Sequence, residues 1–175
     1  MSKAKFTSPV GNIMWAFVTG QGRENLNGQM QYSLEVHANR ADVQEFIDEI
    51  DSFWEDNKPK SVKKAKSLGY KDVDEDTVAF TAKTNTTYQS GDPKKIALYD
   101  AKGRRLELDE GVRIGNNSKG RFSATMAIYD AGKMGSGVTF YLNSVQIAHL
   151  VQYEDSDSFD EIDGDCESDF EEISV

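Results

Sequence analysis

The sequence is poor in the residues that build covalent and metal-bound frameworks. Its 175 residues include one cysteine, Cys166, and two histidines, His37 and His149. A single cysteine has no partner for an intrachain disulfide, which fits a reducing compartment. Both histidines fall in predicted strands with no cysteine near them in sequence, so we interpret them as partly buried strand residues. The sequence therefore predicts neither a disulfide framework nor a metal site.

Long apolar runs and catalytic motifs are missing as well. No apolar stretch approaches the roughly 18 residues of a membrane-spanning helix, and the N-terminal lysines are not followed by the apolar stretch of a signal peptide. Neither a Walker loop nor a His-Glu-x-x-His helix is present. Gly132, Gly135 and Gly137 lie in a predicted hairpin turn rather than between a strand and a helix, which argues against a phosphate-binding loop. We predict no membrane segment, no cofactor and no enzymatic activity.

Charge is plentiful but unevenly distributed. The whole chain has a net charge of -10, whereas nucleic-acid-binding domains usually have a pI above about 9. However, 11 of the 30 acidic residues and none of the 20 basic residues lie from Glu154 onwards. The preceding part holds 30 - 11 = 19 acids and 20 bases, a net charge of +1. We predict a globular domain over residues 1–153 and an acidic tail over 154–175 that is disordered in isolation.

Hydrophobic periodicity in the globular part predicts mostly strands. Apolar and polar residues alternate from Gln29 to Ala38, a pattern typical of a half-buried strand. Ile13–Thr19 precedes it as another strand, with Trp15 and Phe17 on one face, and we assign both aromatic residues to the core first and to binding second. Four more strands are predicted at Val78–Thr87, Lys95–Asp100, Arg121–Tyr129 and Val138–Tyr153.

One segment has helical periodicity. Asn39 is a suitable N-cap for a helix over Ala41–Asp56. Its apolar stripe consists of Val43, Phe46, Ile47, Ile50, Phe53 and Trp54. Lys58–Lys71 follows as an exposed connection with room for a second short helix. Six strands and one long helix without β-α-β alternation predict a mainly β, antiparallel barrel.

Cations and aromatic residues occur together along the predicted strands and turns. Tyr99, Tyr129 and Tyr141 point away from the predicted core. Cations can follow phosphates, and tyrosine rings can stack on unpaired bases for roughly 1–3 kcal/mol each. An ordinary solvated sheet face explains the same pattern equally well. The candidate nucleic-acid-binding residues are Lys3, Lys5, Lys83, Tyr99, Lys102, Arg104, Arg105, Arg113, Lys119, Arg121, Tyr129 and Tyr141.

The acidic tail is predicted to act on this cationic surface. A flexible polyanion tethered to a cationic groove has an effective concentration of up to about the mM range, so it can compete with nucleic acid. Apolar residues interrupt the acidic ones and offer anchors for partner proteins. The candidate partner-binding residues are Phe159, Asp160, Glu161, Asp169, Phe170, Glu171 and Glu172.

Four stretches together resemble a known family. They are Lys5–Ser8, Trp15–Val18, Leu98–Arg105, and Gly115–Lys119 with the strand and the Leu142–Val145 segment that follow it. In this order, and followed by an acidic tail, they resemble the OB-fold single-stranded DNA-binding proteins of tailed bacteriophages of the short-tailed replisome type. The resemblance spans nearly the whole chain.

This resemblance implies an OB-fold barrel with a long helix after the second strand, and single-stranded DNA binding without sequence preference. It implies that Tyr129 matches an aromatic DNA-contacting position and that Lys3, Lys5 and Lys102 occupy basic positions of the binding surface. It also implies tail contacts with the phage DNA polymerase and primase-helicase, or with host replication proteins, in the cytoplasm of the infected bacterial host. Tails in the family can end in an aromatic residue, whereas five residues follow Phe170 here.

Two functional hypotheses follow. The first is a non-enzymatic protein that coats single-stranded DNA during phage DNA replication, recombination and repair. The second is a nucleic-acid-mimicking module or inhibitor that acts through its acidic tail, with the barrel as a scaffold. A homodimer with tails crossing between protomers stays open under either hypothesis.

Overall fold

The computed structural model of the protein describes residues 2–109, 112–154 and 162–164. Within these residues the chain forms one α-helix, α1 (Gln44–Asn57). The strands are β1 (Lys3–Thr7), β2 (Gly11–Phe17), β3 (Arg23–Glu24), β4 (Met30–Asn39), β5 (Tyr70–Asp72), β6 (Thr77–Asn85), β7 (Ala97–Tyr99), β8 (Arg105–Leu106), β9 (Val112–Ile114), β10 (Ser118–Asp130), β11 (Ser136–His149) and β12 (Gln152–Glu154).

Five strands close into a barrel. β2 pairs with β4, β4 with β6, β6 with β11, β11 with β10, and β10 with β2. The β6–β11 contact is parallel and the other four are antiparallel. The predicted OB-fold-like barrel, with one long helix after the second barrel strand, is confirmed.

The core fills the barrel through residue alternation. In β4 the buried side chains are Tyr32, Leu34, Val36 and Ala38, and the first three are those that the sequence pattern predicts. Phe6 from β1 stacks on Phe140 from β11 with ring centroids 4.7 Å apart. β1 pairs with β10 and was not among the six strands predicted from periodicity. Its five residues contain one large apolar side chain, too few to show a period of two.

The helical segment forms largely as predicted. The Asn39 side chain accepts a hydrogen bond from the Ala41 N–H at 2.9 Å, but it caps a 3₁₀ turn over Arg40–Asp42. The α-helix proper begins at Gln44 and ends at Asn57. Five of the six stripe residues are buried, namely Val43 just before the helix and Ile47, Ile50, Phe53 and Trp54 within it, and Phe46 is half-buried.

The second short helix allowed for in Lys58–Lys71 does not form. The chain there crosses the β10–β11 hairpin in an extended path, with Lys66 N–H donating to Ser136 O at 2.8 Å and Val138 N–H donating to Ser67 O at 2.9 Å. Gly69 has a φ of +79° and lies against Phe140, whose ring a Cβ would overlap. Tertiary backbone pairing therefore takes the place of local helix formation in this segment.

A β-bulge in β2 overturns the assignment of Trp15 to the core. Met14 pairs with Glu35 and Phe17 with Ser33, so Trp15 and Ala16 together oppose the single residue Leu34. The extra residue breaks the alternation on which the prediction depended. Trp15 is 53% exposed and adopts a φ of +53°.

The C-terminal end of the described fold is a small separate sheet. β12 pairs antiparallel with β9, with Gln152 opposite Ile114 and Glu154 opposite Val112. The single strand predicted over Val138–Tyr153 is therefore divided into β11 and β12. The candidate tail residues Phe159, Asp160, Glu161, Asp169, Phe170, Glu171 and Glu172 lie outside the described residues.

Two negative findings apply to residues 2–109, 112–154 and 162–164. No helix there has both the length and the apolar character needed to cross a bilayer. The same residues hold no group of three or more histidine, cysteine or acidic side chains placed to bind a metal ion.

Candidate nucleic-acid interface

One row of outward-facing side chains crosses six neighbouring strands. Residues paired directly across two strands project from the same face of a sheet. The register pairs connect Lys5, Thr125, Tyr141, Lys83, Ser33 and Phe17 in this order. These six residues, the transverse row, follow the curved wall of the closed barrel over five strand spacings, about 24 Å measured along that wall. Three of them, Lys5, Lys83 and Tyr141, are among the predicted site residues.

Lys83 occupies the centre of this surface because it lines three adjoining depressions. Tyr129 and Tyr141 line the first, Tyr88 and Lys94 the second, and Arg23 and Leu26 the third. We call these three depressions together the Lys83 groove. They are shallow and open, and their walls combine tyrosine rings with the cations Lys83, Lys94 and Arg23.

Two cation–ring contacts fix the walls of the Lys83 groove. Lys94 Nζ lies 4.9 Å from the ring centroid of Tyr88 and donates to Thr84 Oγ1 at 3.0 Å. The Arg23 guanidinium lies 5.1 Å from the ring centroid of Phe17. Such contacts hold a cation over a ring at the protein surface. The groove therefore presents both groups that a nucleotide can use, a flat ring for the base and a positive charge for the phosphate.

Tyr88, Arg23 and Phe17 are site candidates that sequence reasoning missed. Tyr88 lies in the loop after β6 and is 54% exposed, although nothing in strand periodicity marks it. The signal that could have found it is a tyrosine in an otherwise polar loop with a lysine six residues later. Phe17 was assigned to the core with Trp15, whereas it is half-buried on the outer face of the barrel.

A further depression lies at the β1 end of the transverse row. Its walls include Lys5, Tyr99 and Arg121, and we call it the Tyr99 depression. Arg121 Nε donates to Gln146 Oε1 at 2.9 Å, and Gln146 Nε2 donates to the carbonyl of Asp100 at 3.1 Å. Gln146 thus links Arg121 to the turn that begins at Asp100.

That turn carries three of the predicted basic residues. The Asp100 carboxylate accepts hydrogen bonds from the backbone N–H groups of Lys102 and Arg104, each at 2.9 Å, and from Arg104 Nε at 3.2 Å. These donors, the Arg104 N–H above all, hold the pKa of the Asp100 carboxyl below its ordinary value. Arg105 lies 5.9 Å from the ring centroid of Tyr99. These hydrogen bonds therefore order the backbone of the turn that carries Lys102, Arg104 and Arg105.

The remaining predicted residues take different positions. Tyr129 is half-buried and its ring lies over Gly137, with Tyr129 Oη within 2.9 Å of where a Cβ would be. Lys3 pairs with Ala127, next to the row on β1. Lys119 lies opposite Asn12, further along β10 and outside the depressions described above. Arg113 lines a separate cavity of about 510 Å³, to which Lys94, Lys95 and Arg105 also contribute.

Comparison with known proteins gives a likeness of fold. No protein-family model matches the sequence, and no curated protein matches it. Among solved structures, gp2.5, a single-stranded DNA-binding protein encoded by bacteriophage T7, superposes with a TM-score of 0.69 and 22% identity, over 94% of this chain and 100% of that one.

The truncated single-stranded DNA-binding protein of bacteriophage Enc34 gives a TM-score of 0.62 and 16% identity, over 89% of this chain and 88% of that one. The Enc34 protein in complex with single-stranded DNA gives 0.57 and 15%, over 89% of each chain. At these sequence identities the likeness shows a shared fold. For the fold, it confirms the resemblance that the sequence predicts.

Proposed function

We propose that this chain binds single-stranded DNA without sequence preference and coats exposed strands during phage DNA replication, recombination and repair, in the cytoplasm of the infected bacterial host. The observation that carries the proposal is the transverse row. It places Tyr141 and Lys83 side by side on an OB-fold barrel, between Lys5 at one end and Phe17 at the other. The solved structures that share the fold are described as single-stranded DNA-binding proteins, and this supports the same reading.

The chemistry of the Lys83 groove favours unpaired strands over duplex. Base faces are accessible for stacking only where a strand is unpaired, and Tyr88 and Tyr141 offer exposed rings in the same depression as Lys83. Every base has a π-face, so stacking tolerates all sequences. Cations at Lys5, Lys83 and Arg121 would follow the phosphates without reading bases.

We propose the acidic tail as an intramolecular competitor and as the contact for partner proteins. Its 11 acidic residues are opposite in charge to the cations of the Lys83 groove and the Tyr99 depression. Phe159 and Phe170, with Asp160, Glu161, Asp169, Glu171 and Glu172 around them, would dock to the phage polymerase, the primase-helicase or host replication proteins. Because Phe170 is not terminal, docking would use it from inside the tail.

The test compares oligo-dT binding by the full chain and by a chain ending at Glu154, measured from low to high salt. Ending at Glu154 keeps β12 paired with β9, so the truncation removes the tail after its first residue without removing a strand. A groove that neutralises Z phosphates gives a log–log salt slope near -0.7Z. We expect tighter binding by the truncated chain, most clearly at low salt.

The two hypotheses predict different results. Binding of equal strength with and without residues 155–175 would contradict the competitor role while leaving DNA binding intact. Absence of binding by both chains would refute DNA binding and favour the alternative, in which the acidic tail imitates nucleic acid to occupy a basic partner protein.

A further inference from the structure

Trp15 is an exposed aromatic residue in an unfavourable backbone conformation. Its side chain is 53% exposed, and its φ of +53° lies in the left-handed region. That region is disfavoured for residues with a Cβ because the Cβ approaches the following carbonyl oxygen. Apart from glycines, Trp15 shares this feature only with Asn117 among the residues that the structure describes. Such a conformation, when it persists, is imposed by the surrounding structure and is found disproportionately at functional sites.

Two features hold Trp15 in this conformation. The β2 bulge places Trp15 and Ala16 opposite the single residue Leu34. The Trp15 N–H donates to Asn116 Oδ1 at 2.8 Å, and the Asn117 N–H donates to the Ile13 carbonyl at 3.0 Å. The turn after β9 therefore clamps the bulged strand from the side opposite to β4. A bulge of this kind redirects a side chain, here one that strict alternation would have pointed elsewhere.

Trp15 lies on β2, the strand on which the transverse row ends. The row ends at Phe17, which pairs with Ser33 on β4. Trp15 precedes Phe17 by two residues on the same strand, and its side chain is 53% exposed. A strand of DNA that crosses β11, β6 and β4 along the row would reach β2 after about 14 Å, at three spacings of about 4.8 Å. On β2 the exposed Trp15 ring is available to it beside Phe17.

We propose that Trp15 is a second base-stacking site, which extends the DNA path across β2 beyond the Lys83 groove, and that Asn116 positions it. The inference depends on the proposed function, since it deepens the same DNA-binding role. The polar neighbours Asn116 and Asn117 distinguish the site from a broad apolar patch that another protein would cover. An exposed ring on a strand next to a polar turn suits the face of an unpaired base.

The protein's own fluorescence can test this assignment. The sequence has two tryptophans, Trp15 and Trp54, and Trp54 is only 3% exposed in the core. We expect oligo-dT to protect Trp15 from quenching by iodide. Trp15→Phe removes the exposed indole and leaves Trp54. The effect of DNA on iodide quenching should therefore disappear, while most of the affinity for oligo-dT stays.

Affinity measured against oligonucleotide length supplies the second readout. Trp15→Ala should weaken binding of long oligo-dT by about 5- to 150-fold. It should not change binding of oligomers too short to extend from Tyr141 past β2. Asn116→Ala should show a smaller loss of the same length dependence. Val73→Ala is the matched control, because Val73 is 48% exposed in the turn after β5 and outside the row.

Trp15→Gly separates binding from folding. Glycine adopts a positive φ readily, so this variant relieves the backbone at Trp15 and should unfold at a temperature no lower than Trp15→Ala does. It should nevertheless lose the same affinity for long oligo-dT.

Equal affinity of Trp15→Ala and the parent chain at every length would overturn the inference. A change in self-association without DNA, seen by sedimentation and unaccompanied by an affinity loss, would overturn it in favour of an interface between copies. The proposed function fails in a different way, since the parent chain ending at Glu154 would then bind no oligo-dT of any length.

Discussion

Tyr141 on β11 stands directly opposite Lys83 on β6, in the parallel contact that closes the barrel. The same contact therefore completes the fold and brings a tyrosine and a lysine from strands 58 residues apart into adjacent positions. Both side chains are exposed, Tyr141 to 46%. The central pair of the proposed DNA-binding surface is thus fixed by the backbone rather than by a mobile loop.

Removing the Tyr141 ring tests that pair. We expect Tyr141→Ala to weaken oligo-dT binding by roughly 1–3 kcal/mol, through lost stacking. Tyr141→Phe keeps the ring and should bind nearly as the parent does. Fluorescence anisotropy with labelled oligo-dT measures both. Because Tyr141 is half exposed, the thermal midpoint should change little, and an alanine variant with parental affinity would remove Tyr141 from the site.

We expect a substitution of Tyr129 to differ from one of Tyr141, because the Tyr129 ring also packs against Gly137. Its hydroxyl and ring lie over Gly137, so Tyr129→Ala should lower both DNA affinity, by roughly 1–3 kcal/mol, and the free energy of unfolding. Urea denaturation and oligo-dT titration of the same variant distinguish the two effects. A loss of stability with unchanged affinity would assign Tyr129 to packing alone.

Lys83→Gln should act on phosphate binding. Removing one phosphate contact reduces the magnitude of the log–log salt slope by about 0.7 and weakens binding to a similar degree for dT, dC and mixed oligomers. Lys60→Gln, an exposed lysine in the connection after α1, is the matched control and should leave the slope unchanged. A sequence-dependent loss for Lys83→Gln would show that Lys83 contacts bases instead.

The lowered pKa of Asp100 predicts that the stability of the fold depends on pH. Its carboxyl has a lowered pKa in the folded protein, because the backbone N–H of Arg104 and further donors stabilise the ionised form. The ionised carboxylate therefore favours the fold at pH values above its ordinary value of 3.8, and this benefit is lost as the pH falls through the lowered folded value. Asp100→Asn should be less stable than the parent near neutral pH, and the difference should shrink below about pH 4. Urea midpoints measured across that range check this, and a constant difference would contradict it.

The barrel strands and the helix could be predicted because their signals are local. Alternation in β4 and the apolar stripe of α1 each arise within one element facing one core. β1 was missed because Phe6 alone does not make a pattern, and it is defined by pairing with β10 more than 100 residues away. Pairing between strands so far apart in sequence produces no periodic pattern within either strand.

The candidate site was predictable only in part for a related reason. Lys83 and Tyr141 could be proposed from predicted strands, and Lys5 as a basic position that the resemblance implies, but their alignment in one row depends on three strand registers. Trp15 was misplaced because a bulge shifts the period by one residue, and the clamp that holds it comes from Asn116. Tyr88 lies in a loop, where no period exists to indicate which way a side chain points.

The residues around β12 connect the acidic tail to the turn that holds Trp15. The 21 residues from Asp155 to Val175 could reach at most about 70–75 Å from Glu154, further than the barrel is wide. Just before β12, Val151 is held from both sides, with its carbonyl accepting from the Gly115 N–H at 2.6 Å and its N–H donating to Ser118 Oγ at 2.8 Å. Gly115 immediately precedes Asn116, the residue that clamps Trp15. A partner that pulls on the tail would therefore load this small sheet, which connects both to β11 along the backbone and to the turn that holds Trp15.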